Sequence, residues 1–278
     1  MYADDTTLYS SGSSLEELQG HLQTCIDKAA EWFSANRLVV NSKKSTVSLI
    51  GTRQRIARNK LNVSIGTDEL ISCDNVKLLG VQIDPNLNWH LHVNHVVKTV
   101  NPKIGLLQRL AKFLPRDLLN VVYRTIVQPH FDYCLSIWGN CGKTAMCQVQ
   151  RLQNRAARIV SGNYDFSQSG LSVVSCNDWM NMEERYNYFI SVLMYKVLNG
   201  EVTSNLCNMF EYVSATHNHN TRNAASGQLK LPKCSVECFK RSFAYSGASL
   251  WNDIDDSVKL VENVHHFKRN YKQLYFNR

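Results

Sequence analysis

The sequence has no long apolar run, since no stretch approaches the roughly 18 consecutive apolar residues that a membrane-spanning helix needs. Its first residues show no basic region followed by an apolar segment, so the pattern of a secretory signal is missing as well. We find no internal repeat and no low-complexity tract. We therefore expect an intracellular protein, in the nucleus or the cytoplasm, that does not use a membrane as its partner.

Closely spaced cysteine pairs are also missing. None of the nine cysteines forms a C-x-x-C pair, and an odd number scattered along a chain without a signal predicts reduced thiols that are mostly buried. An alternative is a zinc site in which His217 and His219 join Cys234 and Cys238. Their spacing matches none of the usual short patterns, which argues against zinc.

The sequence does have a globular composition and an excess of positive charge. Its 278 residues are 44% hydrophobic and carry a net charge of +8. That length and composition predict a packed core, in one large domain or in two to three small ones. The charge favours an anionic partner, with nucleic acid as the first candidate and an acidic membrane surface as the second.

Two adjacent carboxylates, Asp4 and Asp5, lie near the start, between aromatic and β-branched residues that favour strands. The stretch predicts a hairpin with the two acids at its turn. Two carboxylates about 4 Å apart repel by about 1 kcal/mol in water and about 4 kcal/mol at an effective dielectric near 20. A hard cation such as Mg²⁺ would reverse the sign of this interaction, because it prefers carboxylate oxygen. Taken alone, such a pair near an N-terminus is more often part of a solvated turn.

The next 70 or so residues combine one helix with short strands. Ser14 and Glu17 form a capping box ahead of an amphipathic helix that Asn36 ends, and we expect this helix to pack against a sheet. A polar turn over 41–45 leads into a strand, and Gly66-Thr67-Asp68 predicts a hairpin.

A second strand is predicted over 76–84. Its apolar residues favour burial, and Gly80 lies at its middle. A glycine inside a strand indicates a bulge or the close approach of another backbone.

From Trp89 onwards the apolar residues recur at helical spacing. The pattern predicts helices that begin at Trp89, that lie between Pro115 and Pro129, and that span roughly 144–161, 179–198 and 264–276.

The helix predicted over 144–161 carries Arg151, Arg155 and Arg158 at spacings that place them on one face. One interpretation is a solvated face whose aliphatic stems cover apolar neighbours. The other is a surface that follows the phosphates of a nucleic acid.

Three short motifs occur in an order that resembles the reverse transcriptases of jockey-like non-LTR retrotransposons. They are the Tyr-Ala-Asp-Asp box at 2–5, Asn41-x-x-Lys44-Ser45, and Lys-Leu-Leu-Gly at 77–80. The runs at 129–133 and 153–158 resemble thumb and post-thumb segments of the same proteins. Each motif is common, whereas the ordered set is specific.

The resemblance implies a role for each motif in template-directed DNA synthesis. Asp4 and Asp5 would be catalytic and would hold Mg²⁺, Lys44 would donate a proton to the pyrophosphate or neutralise its charge, and Tyr2 would pack beneath the primer end. The segment resembling the primer grip would hold the primer backbone with Lys77, Leu78, Leu79 and Gly80. RNA template, DNA primer and dNTP would be the ligands of the complete enzyme.

We therefore predict an α+β fold in three parts: the C-terminal half of a palm with a short antiparallel sheet over 1–88, a helical thumb over 89–162, and a mostly helical region over 163–278. The resemblance also implies a third carboxylate and the fingers upstream, neither of which occurs in this sequence. The chain is thus expected to be a fragment of an RNA-directed DNA polymerase that is inactive alone. Two alternatives are a non-catalytic basic remnant that binds nucleic acid and a decayed reading frame, against which the intact amphipathic patterns argue.

Overall fold

The computed structural model describes residues 5–58, 60–216, 227–234 and 237–276. It divides the chain into two compact units, Met1–His92 and Val93–Arg278. The described residues are mostly helical, and their strands are two or three residues long. This agrees with the predicted α+β class, whereas the division into palm, thumb and C-terminal region stays a prediction.

The first unit combines helices with three pairs of short strands. Its described helices are α1 (Leu15–Ala35) and α2 (Arg53–Arg58), and a 3₁₀ turn covers Ser42–Lys44. Its described strands are β1 (Thr46–Val47), β2 (Ser64–Ile65), β3 (Asp68–Glu69), β4 (Ile71–Ser72), β5 (Val76–Leu78) and β6 (Val81–Ile83). Strand β1 pairs in parallel with β4, whereas β2–β3 and β5–β6 are antiparallel hairpins.

Helix α1 forms where its capping signals predict it. The Ser14 hydroxyl accepts a hydrogen bond from the backbone N–H of Glu17 at 3.2 Å, and Asn36 is the C-cap. The Gln23 side chain then joins α1 to β2, because its amide donates to the Ser64 carbonyl at 2.9 Å and accepts from the Ser64 N–H at 3.0 Å. The prediction that this helix packs against a sheet is confirmed. Its buried side chains share a core cluster that comprises Leu22, Ile26, Val47, Leu61 and Val63.

Helix α3 (His90–Leu110) leads into the second unit, which is helical apart from one isolated bridge between Tyr212 and Leu229 in its described part. The helices that follow are α4 (Arg116–Val122), α5 (Gln128–Asp132), α6 (Leu135–Trp138), α7 (Lys143–Ser161), α8 (Gly170–Ser175), α9 (Met182–Leu198), α10 (Ser204–Cys207), α11 (Val213–Thr216), α12 (Glu237–Lys240), α13 (Phe243–Asp253), α14 (Asp256–Lys259) and α15 (Val264–Phe276). The helices predicted over 144–161, 179–198 and 264–276 are confirmed as α7, α9 and α15.

The predicted end of a helix at Pro129 is wrong. A π-helical segment, Tyr123–Val127, lies between α4 and α5, and the helical path continues through Pro129 to Asp132. The Gln128 N–H donates to the Tyr123 carbonyl, five residues earlier. Pro129 therefore falls in the first turn of α5, a position at which proline is tolerated.

Two groups of buried side chains hold the second unit together. The Tyr123 ring stacks on Trp179 with centroids 3.6 Å apart, and burial raises the pKa of Tyr123 to about 12. Beside it, the buried Gln153 amide donates to the Met180 carbonyl at 2.9 Å, which joins α7 to the start of α9. A second cluster packs α9 against α13 and α15 through Ile190, Met194, Tyr195, Trp251 and Phe267.

Candidate functional site

The predicted carboxylate pair lies at the edge of the described chain. Tyr2 and Asp4 are outside the described residues, and Asp5 is exposed to solvent. Within the part that the structure describes, no three His, Cys, Asp or Glu side chains come together as a metal site. The exposed Asp5 carboxylate suits a hard cation by its oxygen donors. A Mg²⁺ site at Asp4 and Asp5 stays a prediction.

The alternative zinc site cannot be placed on the structure either. His217 and His219 lie outside the described residues, as does the side chain of Cys238. Cys234 is a half-buried thiol.

Lys44 is presented by the tight polar turn that the sequence predicts. The Asn41 side chain accepts a hydrogen bond from the Lys44 N–H at 3.2 Å, and the Ser45 hydroxyl donates to the Asn41 carbonyl at 3.0 Å. The Ser42 hydroxyl donates to the Asp68 carboxylate at 2.6 Å, which joins this turn to the β2–β3 hairpin. Strand β1 follows at Thr46, as predicted, and the Lys44 side chain is exposed. The turn thus holds the backbone of Lys44 while its ammonium group remains in solvent.

The segment over 76–84 is a hairpin, so the prediction of one buried strand is wrong. Strands β5 and β6 are antiparallel and Leu78 pairs with Val81, which leaves Leu79 and Gly80 as a two-residue turn. Both residues have positive φ, 45° at Leu79 and 84° at Gly80. Positive φ at both positions is the geometry that matches the twist of a hairpin. Gly80 therefore serves the turn of a hairpin rather than a bulge inside one strand.

This turn presents two of the predicted primer-binding side chains to solvent. The Leu79 side chain is 51% exposed, and Lys77 is also exposed. Leu78 is half-buried and Val81 is buried, so the hairpin is anchored by one face. Contact of this turn with a primer backbone stays a prediction.

The arginines of α7 differ in what they contact. Arg151 is exposed, and Arg155 is exposed with one hydrogen bond from Nη2 to the Gln108 side chain at 3.3 Å. Arg158 instead donates to the Asp165 and Gln168 carbonyls, both at 2.7 Å. Its guanidinium also lies 4.9 Å from the centroid of the Phe166 ring. Arg158 holds the segment after α7 in place, and Arg151 and Arg155 keep guanidinium groups in solvent.

A histidine that the sequence analysis did not single out lies close to other cations. The pKa of His130 is lowered by partial burial and then by the positive charges of Lys103 and His95. Lys103 and His95 are on α3 and His130 is on α5, so only the fold brings them together. No spacing along the sequence indicates this group.

Comparison with known proteins shows to which class of protein the chain is related. The chain is a homologue of RNA-directed DNA polymerases from non-LTR retrotransposons, which confirms the resemblance described above. No family model matches the chain, and no solved structure matches it.

The particular relatives come from mobile elements of Drosophila. The chain is 23% identical over 166 residues to the RNA-directed DNA polymerase from mobile element jockey of Drosophila melanogaster, and 26% identical over 164 residues to its counterpart in Drosophila funebris. It is 25% identical over 165 residues to the probable RNA-directed DNA polymerase from transposon X-element of Drosophila melanogaster. Each alignment covers 58% of this chain and 18% of the relative.

None of the described helices combines the length and the apolar character that crossing a membrane would take.

Proposed function

We propose that this chain contributes to the RNA-directed DNA polymerase of a non-LTR retrotransposon, as a part that binds the primer–template. The observation that carries the proposal is its homology to such polymerases over 58% of its length. The aligned segment is 18% of each relative, so the proposal concerns what this part adds to the reaction.

Each motif has a place in that proposal. Asp4 and Asp5 would hold Mg²⁺, which would stabilise the attacking and leaving oxygens during nucleotide addition. Lys44 would face the pyrophosphate, because a rigid turn with a solvated ammonium group suits an anion. The Leu79-Gly80 turn with Lys77 would hold the primer backbone, with Leu78 as its anchor, and Tyr2 would pack beneath the primer end.

The arginines of α7 would contact phosphates as well. Arg151 and Arg155 have solvent-exposed guanidinium groups, whereas Arg158 is held by two backbone carbonyls. Contacts with phosphates give affinity with little sequence preference, and they weaken as salt rises. We therefore assign the direct contact with phosphates to Arg151 and Arg155. Arg158 would instead hold the segment that follows α7.

Binding is tested with a labelled RNA–DNA duplex and fluorescence anisotropy over a series of salt concentrations. The double variant Arg151→Gln/Arg155→Gln should bind all sequences more weakly and with a smaller salt slope. The control Lys230→Gln/Lys233→Gln removes two charges from exposed positions elsewhere in the same unit. Equal salt slopes for the α7 variant and the wild type would exclude α7 as the contact.

Catalysis is tested separately by primer extension with Mg²⁺ and dNTP. We expect no incorporation by this polypeptide alone, because two carboxylates without a third make a weak metal site. Incorporation that needs Mg²⁺ and is abolished by Asp4→Asn would contradict this expectation. Binding without incorporation would favour the non-catalytic nucleic-acid-binding alternative for the isolated chain.

A further inference from the structure

In the second unit, the charge of Lys272 interacts with those of three other cationic side chains and with that of the Asp132 carboxylate. Arg124 belongs to the π-helical segment, Arg185 to α9, and Lys268 and Lys272 to α15. The Asp132 carboxylate is engaged by Arg185 through both Nε and Nη2. Four positive charges and one negative charge leave an excess of three.

Arg185 is paired with Asp132, so the three remaining positive charges belong to Arg124, Lys268 and Lys272. Within the described ranges, none of Arg124, Lys268 and Lys272 forms an ion pair with a carboxylate. We call these three residues the C-terminal cationic surface. Arg124 and Lys272 are exposed and Lys268 is half-buried, so the surface is open to solvent.

The position of Lys272 is set by packing. Its ammonium nitrogen lies 5.2 Å from the centroid of the Tyr188 ring, and Tyr188 in turn contacts the Tyr271 ring at 6.0 Å between centroids. The pKa of Lys272 is lowered, by burial first and then by the charges of Arg185, Lys268 and Arg124. The cations thus repel one another across the contact of α9 with α15, and a bound anion would relieve that repulsion.

The π-helical segment is a second, independent observation. It is a five-residue interruption of a longer helical path, and Arg124 lies inside it. Such segments are rare, and they often occur at functional sites.

We propose that the C-terminal cationic surface binds the phosphate backbone of a nucleic acid, as a contact additional to the α7 arginines. The inference rests on the proposed function for its choice of nucleic acid over an acidic protein. Three cations spread over two elements suit a row of phosphates better than a single carboxylate, which pairs with one fork-shaped guanidinium.

The full chain is tested with a labelled mixed-sequence RNA, both single-stranded and paired with its DNA complement. The variant Lys268→Gln/Lys272→Gln should bind roughly tenfold more weakly, and its salt slope on single strands should fall by about 1.4, which corresponds to two phosphate contacts. Arg124→Gln should lower the slope by about half as much. The strand form that loses more affinity identifies the source of the phosphates.

The control is again Lys230→Gln/Lys233→Gln, which removes the same net charge from two exposed positions of the same unit. Equal losses in the control and in Lys268→Gln/Lys272→Gln would overturn the proposal, because the effect would then be one of net charge. Polyglutamate that displaces the RNA as effectively as unlabelled RNA would overturn it too, in favour of an acidic protein partner. Unchanged thermal unfolding in all variants is the check that they fold.

Lysine acetylation read by mass spectrometry gives a second measurement on the unmodified chain. Bound RNA should protect Lys268 and Lys272 and leave Lys230 and Lys233 as reactive as before, and equal reactivity with and without RNA would overturn the proposal. The two proposals also fail separately. If only Arg151→Gln/Arg155→Gln loses binding, the inference about the C-terminal cationic surface is overturned and the proposed function stands. If only Lys268→Gln/Lys272→Gln loses binding, the contact through α7 is overturned.

Discussion

Arg185 and Asp132 form a bidentate ion pair that joins α9 to α5 across 53 residues of sequence. The Arg185 Nε donates to one carboxylate oxygen at 2.8 Å, and the two side chains are 13% and 23% exposed. A paired guanidinium and carboxylate with so little exposure depend on each other, because either one left alone would be a poorly solvated charge. The Asp132 carboxylate also offsets part of the positive charge beside Lys272.

The first prediction concerns this pair. Asp132→Ala should lower the free energy of unfolding by about 2 kcal/mol, because it leaves the Arg185 guanidinium without its partner. Denaturant unfolding measures the change. Glu211→Ala is the matched control, since it breaks the exposed Lys230–Glu211 pair and should cost less than about 1 kcal/mol. A cost for Asp132→Ala no larger than the control would show that the pair adds little.

A second prediction concerns the turn of the β5–β6 hairpin. Leu79→Asn should stabilise the chain by about 0.5 kcal/mol, because Asn tolerates positive φ better than Leu. Gly80→Val should destabilise it by about 1–2 kcal/mol, since a β-branched residue is strained at φ 84°. Denaturant unfolding measures both.

The Leu79→Asn variant is expected to change stability and nucleic-acid binding in opposite directions. If Leu79 contacts the primer backbone, Leu79→Asn should weaken binding of an RNA–DNA duplex although it stabilises the hairpin. A variant that is more stable and binds as tightly as the wild type would show that the Leu79 side chain makes no contact with the duplex.

A third prediction separates the arginines of α7. Arg158→Gln should cost about 1–2 kcal/mol of stability, because it removes the donor to two backbone carbonyls in the segment after the helix. Arg151→Gln should change stability by less than about 0.5 kcal/mol, as surface substitutions usually do. Equal unfolding midpoints for the two variants would contradict the structural role of Arg158.

A fourth prediction is a dependence of stability on pH. The pKa of His130 in the folded chain is lowered by burial and by Lys103 and His95, so the unfolded chain binds this proton more readily. The stability contributed by neutral His130 is complete above the ordinary histidine pKa of 6.5 and is lost as the pH falls below it. The free energy of unfolding should therefore decrease from about pH 7 to pH 5, and His130→Gln should flatten that decrease.

Carboxyl groups with lowered pKa values act in a different pH range. The pKa of Asp165 and that of Asp255 are lowered mainly by the hydroxyls of Ser167 and Ser257. Their stabilising effect is present above the ordinary carboxyl range and is lost only as the pH falls through and below it. The slope between about pH 7 and pH 5 thus reports on His130 rather than on these acids. An identical slope in His130→Gln would contradict the prediction.

Residues close together in the sequence were enough to predict the helices and turns whose ends are set by a single side chain. Ser14 and Asn36 limit α1 because capping is decided by side chains within one turn. Helix α15 was predicted over its whole length, since its buried Phe267 and Tyr271 repeat at helical spacing. The turn at Asn41 follows from the same kind of local hydrogen bond.

Prediction from the sequence failed where the backbone departs from regular helix and strand geometry. Leu79-Gly80 is an unusual pair for a two-residue hairpin turn, because leucine rarely adopts positive φ. Pro129 predicted the end of a helix. In the structure it lies instead in the first turn of α5, directly after the π turn. The neighbours of His130 and Lys272 come from distant elements, so no local pattern could indicate them.

The π turn also sets which side of the helical path the later residues face. It accommodates one residue more than an α-helical turn of the same rise. Deleting one residue between Tyr123 and Val127 would let α4 continue as a regular helix, and every later residue of that helix would turn by about 100°. Asp132 would then leave the side facing Arg185, so the Arg185–Asp132 ion pair depends on the register that the π turn sets.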